Sequence, residues 1–423
     1  MLRLQCAVQN YAWGKRGKSS EVAKLYSSGN DNASVEEEKP YAELWMGTHP
    51  SGPSYVSSSA SYERERTTLK SWIEENESSL GQTLLAKFGK DLPFLFKVLS
   101  VRTALSIQAH PHKALAKTLH GERPHVYKDD NHKPEMTLAL TEFEALSCFV
   151  SHEELHTAIV KVPELAECIG KDRSEHVAAG LLKGEESQKQ EALKEAFRLV
   201  MKQDGDVVKG LIARLVSRLN DTADLTAKEK LILRLNSQYP GDVGIFAAYF
   251  LNYIKLQPSQ AIFLEANEPH AYLSGNCVEV MATSDNVVRA GLTPKLRDTD
   301  VLCGMLTYKT GMPTILDGQR VTDHMKAYKP PFDEFQINVV ELNKAQETLV
   351  EQIKGPLLVL VYEGKGEIAA NSSKTNLDHP LQSSSAISKG DIFFVLDGQT
   401  LNVKSSEEEG CTLFIASANA RIF

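Results

Sequence analysis

Two polar side chains alternate along a short apolar segment, LSIQAHP at 105–111. Residues two apart on a β-strand point to the same side, so Gln108 and His110 are predicted to project together into one cavity. Glu135, in NHKPEM, and His270, in ANEPHAYL, add a carboxylate and a second imidazole. These donors suit zinc better than a metal that prefers thiolates. The four residues indicate a candidate metal site, although most of the 12 histidines of such a chain have ordinary structural roles.

The segment that follows His270 is rich in further candidates for chemistry. They lie in AYLSGNCVEVMATSDNVVRAGLTPK and are Tyr272, Glu279, Asp285, Arg289 and Lys295. An arginine beside a metal can hold a substrate oxygen or a phosphate through its planar fork, and the lysine can be a second phosphate contact. The alternative is an ordinary surface ion pair between Asp285 and Arg289, which are four residues apart.

Lys97 is unusual because its neighbours in PFLFKVL are all apolar. Either the side chain extends to the strand end to reach water, or it points inward toward an anion. The second interpretation makes it a candidate substrate-binding residue.

Composition limits the classes of function. The chain has 423 residues, 42% of them hydrophobic and 24% charged, which is typical of a folded protein with two or three domains. A formal net charge of -8 argues against a surface that binds nucleic acid. No apolar run resembles a secretion signal or a membrane span, so a cytoplasmic location is expected. The six cysteines are far apart and predict no disulfide framework.

The pattern of the sequence changes twice along the chain. Short runs rich in β-branched and aromatic residues fill residues 1–150, return at 256–330 and continue through 331–423. Between them, residues 151–255 show helical periodicity and two capping-box pairs, Ser151 with Glu154 and Thr226 with Glu229. The apolar residues with helical spacing are Leu193, Phe197, Val200, Met201, Val208, Leu211, Leu215 and Leu219. We therefore predict a mainly β protein with an α-helical insert, in which 1–150 and 256–330 form one metal-binding domain and 331–423 form a second.

A weak internal repeat supports two related β domains. ISKGDIFFVLD at 387–397 aligns with LQPSQAIFLEA at 256–266 without a gap, and the alignment places Leu401 opposite His270. The second domain is then predicted to have no metal. Two strand-turn segments can also align this well by chance.

Several motifs together resemble one known family. In chain order they are YAWG (11–14), KPYAELWMGTHP (39–50), PFLFKVLS (93–100), LSIQAHP (105–111), NHKPEM (131–136), FLEANEPHAYL (263–273) and SDNVVRAGLTPK (284–295). The chain is similar in these blocks to the type I phosphomannose isomerases. The resemblance implies two cupin-type jelly-roll barrels with a helical domain inserted in the first, the second barrel having no metal.

The resemblance also implies the site. It places Gln108, His110, Glu135 and His270 on the ligands of one zinc ion per chain, and Arg289 on the catalytic arginine.

The resemblance further places His132 and Lys133 at positions associated with ring opening and proton transfer. The implied reaction interconverts mannose 6-phosphate and fructose 6-phosphate through an enediol, and feeds mannose into GDP-mannose synthesis. Either Lys133 or Glu279 is the proton-transfer base. Lys97, Tyr272, Asp285 and Lys295 are expected to bind the substrate. A small sugar phosphate is the expected partner of a monomeric chain, with neither nucleic acid nor membrane.

Two other functions fit the residues alone. One is a cupin oxygenase, in which two histidines and a carboxylate hold ferrous iron; a fourth protein ligand, Gln108, argues against it. The other is a cupin that binds a sugar without catalysis, which would not need Lys133, Glu279 and Arg289 near one metal.

Overall fold

The computed structural model describes residues 1–30, 33–57, 67–351, 353–372 and 383–423. Within these ranges the named strands pair in antiparallel fashion, and most of them belong to two large sheets. A block of helices interrupts the first sheet between β10 and β11. The predicted class, mainly β with a helical insert, is confirmed.

The strands that precede the helical block are β1 (Leu2–Gln5), β2 (Ala7–Gln9), β3 (Lys15–Arg16), β4 (Pro40–Tyr41), β5 (Glu43–Met46), β6 (Tyr55–Val56), β7 (Phe94–Val101), β8 (Ile107–Ala109), β9 (Glu135–Ala139) and β10 (Phe143–Phe149). Those that follow it are β11 (Leu251–Leu256), β12 (Ala261–Leu264), β13 (His270–Ala282), β14 (Val288–Gly291), β15 (Ile315–Leu316), β16 (Gln319–Thr322), β17 (Met325–Tyr328), β18 (Gln336–Leu342), β19 (Glu347–Val350), β20 (Leu357–Ser372), β21 (Ser384–Ser388), β22 (Ile392–Val395), β23 (Gln399–Ser405) and β24 (Cys411–Ser417). The α-helices are α1 (Glu21–Ser28), α2 (Leu69–Glu75), α3 (Gly81–Phe88), α4 (Lys113–Glu122), α5 (His152–Lys161), α6 (Pro163–Ile169), α7 (Lys171–Leu182), α8 (Glu186–Met201), α9 (Gly205–Asn220), α10 (Ala227–Gln238), α11 (Gly244–Ala247) and α12 (Thr299–Met305). Short 3₁₀ helices occupy Gly17–Ser19, Glu77–Leu80 and Ala420–Ile422.

The first sheet carries the candidate site. Its central strands run in the order β15-β12-β9-β13-β7-β5-β2, and β8, β10, β11 and β14 join it through β13 and one another. The long strand β13 connects most of this sheet, because it pairs with β7, β8, β9 and β10 along its length.

The helical insertion consists of α5 to α11 and is built on local sequence signals. Thr226 and Glu229 form a reciprocal capping box at the start of α10, as predicted. Ser151 accepts a hydrogen bond from the Glu154 amide at the start of α5, but Glu154 instead reaches toward Lys228, 3.5 Å away. The apolar positions of α8 and α9 predicted from periodicity are buried.

The second sheet crosses the predicted domain boundaries. Its order, β16-β17-β18-β24-β20-β22-β1-β6, includes β1 from the first residues of the chain and β16 and β17 from before residue 331. This region has an apolar core cluster, and Leu401 is fully buried in it. The boundaries at 150, 255 and 330 stay predictions.

The two β regions pack against each other through one shared core. Met46, Phe96 and Val280 of the first sheet belong to the same buried cluster as Phe394 and Phe414 of the second. No helix among the described residues is both long and apolar enough to cross a membrane.

Candidate metal centre and active-site cavity

Strand register brings the predicted groups to one place. His270 at the start of β13 lies opposite Gln108 on β8, and Gln108 in turn lies opposite Arg289 on β14. Directly opposed residues of antiparallel strands project to the same face. Side chains that are up to 181 residues apart in sequence are therefore aligned by backbone pairing alone.

Three buried side chains form a compact cluster of metal-binding atoms. The ligand atoms of His110, Glu135 and His270 all lie within 4.8 Å of one another. Glu135 lies between the two rings, with its Oε1 3.4 Å from His110 Nε2 and its Oε2 3.5 Å from His270 Nε2. Two imidazoles and a carboxylate so arranged match the donor set of a zinc site.

The main chain fixes the tautomer of both histidines. His110 Nδ1 lies 2.7 Å from the carbonyl oxygen of Asn286, and His270 Nδ1 lies 3.1 Å from that of Glu268. A carbonyl oxygen can only accept, so each Nδ1 carries the hydrogen and each neutral ring keeps its Nε2 lone pair for a ligand.

Unsatisfied atoms and shifted pKa values also fit a metal. His110 Nε2 and Glu135 Oε2 are buried and have no hydrogen-bond partner among the residues that the structure describes. Burial lowers the pKa of His110 to about 4, so the ring is neutral at neutral pH. Burial alone would raise the pKa of Glu135, but His110 and Lys133 outweigh it and hold that pKa well below its ordinary value. A neutral imidazole and an ionised carboxylate are the forms that bind zinc.

The Gln108 side chain reaches the cluster, but its amide nitrogen, not its amide oxygen, is directed toward His270. Its Nε2 lies 3.4 Å from His270 Nε2, and its Oε1 accepts a hydrogen bond from Ser106 Oγ at 3.2 Å. A ligand role requires the amide oxygen, so it requires the amide group to be turned over.

Lys97 points inward, as the second interpretation predicted, toward carboxylates of the protein itself. Its Nζ lies 2.9 Å from Glu279 Oε2 and 3.6 Å from Glu43 Oε2, and it also lies over the Trp45 ring. Burial raises the pKa of Glu279, and Lys97 only partly offsets this. Burial would lower the pKa of Lys97, but Glu279 and Glu43 outweigh it and raise that pKa, so the ammonium stays charged.

The cluster opens into a cavity of about 560 Å³. Nine of the predicted residues line it: Lys97, Gln108, Lys133, Glu135, Tyr272, Glu279, Asp285, Arg289 and Lys295. His110 and His270 lie behind that wall, 1% exposed each. This volume is large enough for a small ligand.

His132 is the predicted residue that the structure places elsewhere. Its Nε2 lies 2.5 Å from Glu334 Oε1 and the side chain is not part of the cavity wall. Its neighbour Lys133 does line the cavity, with Nζ 3.4 Å from Glu135 Oε1. A catalytic role for His132 has no geometric support.

Arg289 and Lys295 are cations without a carboxylate partner among the described residues. The predicted alternative, an ion pair between Asp285 and Arg289, is wrong, because Asp285 Oδ1 instead lies 3.4 Å from Nε2 of the buried His49. A hydrogen bond from His49 holds the pKa of Asp285 below its ordinary value. Burial lowers the pKa of Arg289, with no neighbouring acid to offset it. Two unpaired cations in one cavity wall favour an anionic ligand.

Several residues of the site were not predicted from the sequence. Glu43 and His49 lie in the motif KPYAELWMGTHP, whose mixture of buried strand and polar residues was the available signal. Gln238 and Tyr239 come from the helical insertion, and no sequence pattern pointed to them.

Comparison with known proteins identifies the family. Family models for type I phosphomannose isomerase match residues 1–152, as the catalytic domain, and 168–251, as the helical insertion domain. Mannose-6-phosphate isomerase 1 of Arabidopsis thaliana is 45% identical over 99% of this chain and 94% of its own length. The chain belongs to the type I phosphomannose isomerase family.

Other type I phosphomannose isomerase relatives agree. The human mannose-6-phosphate isomerase is 41% identical over 98% of this chain and 97% of its own. A crystal structure of a phosphomannose isomerase mutant from Salmonella typhimurium superposes with a TM-score of 0.81 at 28% identity and covers 99% of both chains. A mannose 6-phosphate isomerase bound with zinc and yttrium gives 0.80 at 28% identity and the same coverage. The chain is thus an enzyme of the phosphomannose isomerase family.

Proposed function

We propose that this enzyme interconverts mannose 6-phosphate and fructose 6-phosphate with the help of one zinc ion. The observation that carries the proposal is the buried cluster of His110, Glu135 and His270, which opens on a cavity with two cations that have no carboxylate partner in the described part of the chain. The cluster suits a divalent metal, and the cations suit a phosphorylated substrate. The names of the relatives identify the sugar.

The two histidines and Glu135 would hold the zinc, with Gln108 as a fourth ligand after its amide turns over. When bound there, zinc acts as a Lewis acid and stabilises negative charge on the substrate oxygens as the enediol forms. The backbone carbonyls that accept from His110 and His270 keep both rings oriented for this role.

Proton transfer between C2 and C1 of the sugar requires a base that faces the cavity, and Glu279 is the better candidate. It lines the cavity, and burial raises its pKa toward the range where a carboxylate can both take up and return a proton. Lys133 lies in an ion pair with Glu135, which suits a donor to a substrate oxygen better than a base. Lys97 holds Glu279 in place through the 2.9 Å contact.

Arg289 and Lys295 would bind the anionic parts of the substrate. Arg289 lies opposite Gln108, beside the metal ligands, and can stabilise charge that develops on the reacting oxygens. Lys295 lies on the exposed loop after β14, in the same cavity wall, and suits the phosphate. Tyr272 is buried in the cavity wall, and its hydroxyl oxygen accepts a hydrogen bond from Thr137 Oγ1.

The deciding experiment is turnover of mannose 6-phosphate in an assay coupled to fructose 6-phosphate, with metal analysis of the same sample. Zinc at about one per chain together with turnover supports the proposal. Iron with uptake of oxygen would support the cupin oxygenase instead, and sugar phosphate binding without turnover would support the non-catalytic alternative. The monomeric state, the cytoplasmic location and the supply of GDP-mannose stay predictions.

A further inference from the structure

The helical insertion reaches the cavity through one segment, residues 238–244, which we call the clamp segment. It joins α10 to α11 and contacts the cavity wall at two separate places. The remainder of the insertion lies outside the cavity wall and shares an apolar core with strands of the first sheet, among them β8 at Ile107, β10 at Leu146 and β14 at Val288.

The first contact holds the loop between β7 and β8. The backbone amide of Ala104 donates to Gln238 Oε1 at 3.0 Å, and the Tyr239 hydroxyl donates to the Ala104 carbonyl oxygen at 2.6 Å. The insertion thereby satisfies both the backbone amide and the backbone carbonyl of the buried Ala104. The neighbours of Ala104, Thr103 and Leu105, line the cavity.

The second contact holds the loop after β14. Asp242 Oδ1 accepts hydrogen bonds from the amides of Leu292 and Gly244, both at 2.7 Å, and its Oδ2 lies 3.4 Å from the Thr293 amide. Leu292 has φ +55°, a left-handed conformation that costs free energy for a leucine. The carboxylate of Asp242 thus stabilises a backbone turn that the leucine would not adopt by itself.

The backbones of the clamp segment and of the loop after β14 approach so closely at this point that neither glycine has room for a side chain. A Cβ on Gly291 would lie 2.6 Å from Gly244 Cα, and a Cβ on Gly244 would lie 2.7 Å from the Leu292 amide nitrogen. Only backbone-to-backbone packing lets Asp242 reach the loop.

We propose that Asp242 is a positioning residue that holds the loop 292–295 so that Lys295 faces the substrate phosphate; this inference rests on the proposed function. Lys295 and Pro294 are exposed, and the Lys295 side chain has no partner among the described residues. The Lys295 amide donates a hydrogen bond to Thr293 Oγ1 at 3.0 Å, so the tip of the loop follows the position of Thr293. Hydrogen bonds to Asp242 of the insertion hold the turn at Leu292 and Thr293.

The test compares Asp242→Ala, Asp242→Asn and a matched control, Asp204→Ala. Asp204 also accepts two backbone amides within the insertion, those of Asp206 and Val207, but it caps α9 and does not line the cavity. Each zinc-loaded protein is assayed for kcat and KM with mannose 6-phosphate and for hydrogen exchange in peptides that span residues 288–296.

Asp242→Ala is expected to raise KM roughly tenfold, with kcat changed by less than about threefold, because a loop that binds phosphate acts on ground and transition states alike. Exchange at Leu292 and Thr293 should accelerate while zinc content stays unchanged. Asp242→Asn keeps a neutral acceptor and should recover part of both effects. Asp204→Ala should alter neither KM nor this exchange.

Unchanged KM and unchanged exchange in Asp242→Ala would overturn the inference, as would equal losses in Asp204→Ala. A wild-type protein without turnover would refute the proposed function instead. Even then, the exchange of residues 288–296 would decide whether Asp242 orders the loop.

Discussion

Single residues of the site differ in how many partners they already have. His110, Glu135, Lys97 and Glu279 are bound to other protein groups, whereas the side chains of Arg289 and Lys295 have no ionic partner within the described part of the chain. Groups with protein partners are pre-oriented, and groups without them are available to a ligand. This distinction separates the residues that build the site from those that contact the substrate.

Arg289 is expected to act mainly on the rate. Arg289→Ala should lower kcat by roughly a hundredfold or more, with a smaller change in KM, if the guanidinium stabilises charge that develops during enolisation. Arg289→Lys should recover only part of the loss, because a point charge lacks the planar fork. Steady-state kinetics measure both, and the exposed Arg297 provides the control substitution to alanine. A raised KM at constant kcat would show instead that Arg289 only grips the phosphate.

His270 is expected to be essential for the metal and dispensable for the fold. His270→Leu introduces the residue that the aligned position 401 already has in the second β region, where the leucine is fully buried. Metal analysis should find zinc lost, activity should disappear, and the circular dichroism spectrum should be kept. His125→Leu, at an exposed position, is the control. Stoichiometric zinc in the His270→Leu protein would contradict the ligand assignment.

At the scale of elements, β7 and β13 are joined across the cavity wall by a buried ion pair. Register places Glu279 opposite Lys97, and Trp45 of β5 lies on the other side of Lys97. Removing one partner of a buried pair leaves the other charge uncompensated. The pair is therefore a structural device as well as part of the site.

Lys97→Met is expected to destabilise the fold by about 3 to 5 kcal/mol near neutral pH. Burial already raises the folded-state pKa of Glu279 above its ordinary 4.5, and loss of Lys97 raises it further. A raised folded-state pKa gives stability that is present below the unfolded value and lost as pH rises. The deficit, measured by urea unfolding, should thus be smaller at pH 5 than at pH 8.

Two further variants test whether the effect of Lys97→Met comes from the buried charge. Lys365→Met removes an exposed strand lysine that lies 3.6 Å from Glu409, and it should cost almost nothing. Adding Glu279→Gln to Lys97→Met should recover stability at pH 8. A deficit that does not depend on pH would contradict the buried-charge explanation.

Local elements could be predicted from the sequence, but their register could not. The apolar faces of α8 and α9 and the capping box at Thr226 depend on residues within a few positions of each other, and they were predicted correctly. The alternation that pairs Gln108 with His110 is equally local. Glu135 and Arg289 were candidates from their residue types, and the motif resemblance, not periodicity, assigned them roles in the same site.

Contacts between distant segments explain what the sequence could not provide. His132 looks equivalent to its neighbour Lys133 in NHKPEM, yet Glu334 from a distant loop draws its ring away. Asp285 is spaced for a pair with Arg289, yet His49 lies nearer. No sequence pattern predicts the role of the clamp segment, because that role depends on the folded position of the distant residue Leu292.

At the scale of the whole molecule, the two β regions are joined by a shared core and are expected to unfold together. They share a buried cluster, and Trp72 of α2 packs edge-on to Phe394 with 6.1 Å between ring centroids. Lys87 also lies 2.5 Å from Asp333 across the same boundary. Separation of the two β regions would expose the apolar side chains of this shared core on both of them.

Removal of residues 1–5 is expected to lower the free energy of unfolding by roughly 3 to 6 kcal/mol, because Met1 and Leu4 are both buried. The shared core predicts that unfolding in urea stays a single transition, with coincident curves from tryptophan fluorescence and circular dichroism. Arg3→Ala alone, which breaks the contact with Asp391, should cost much less. Two separate transitions in the wild-type protein would contradict a single folding unit.

The pairing of β1 with β22 has a consequence for how the chain is made. Arg3 and Asp391 are 388 residues apart, so a ribosome that adds about 5 to 20 residues per second needs roughly 20 to 80 seconds between the two. During that interval the side of β1 that β22 will cover has no native partner. An unpaired strand edge is a template for wrong association. Proteins that bind nascent chains should therefore associate with the emerging N-terminal strand for most of its synthesis, and release it only when β22 has left the ribosome.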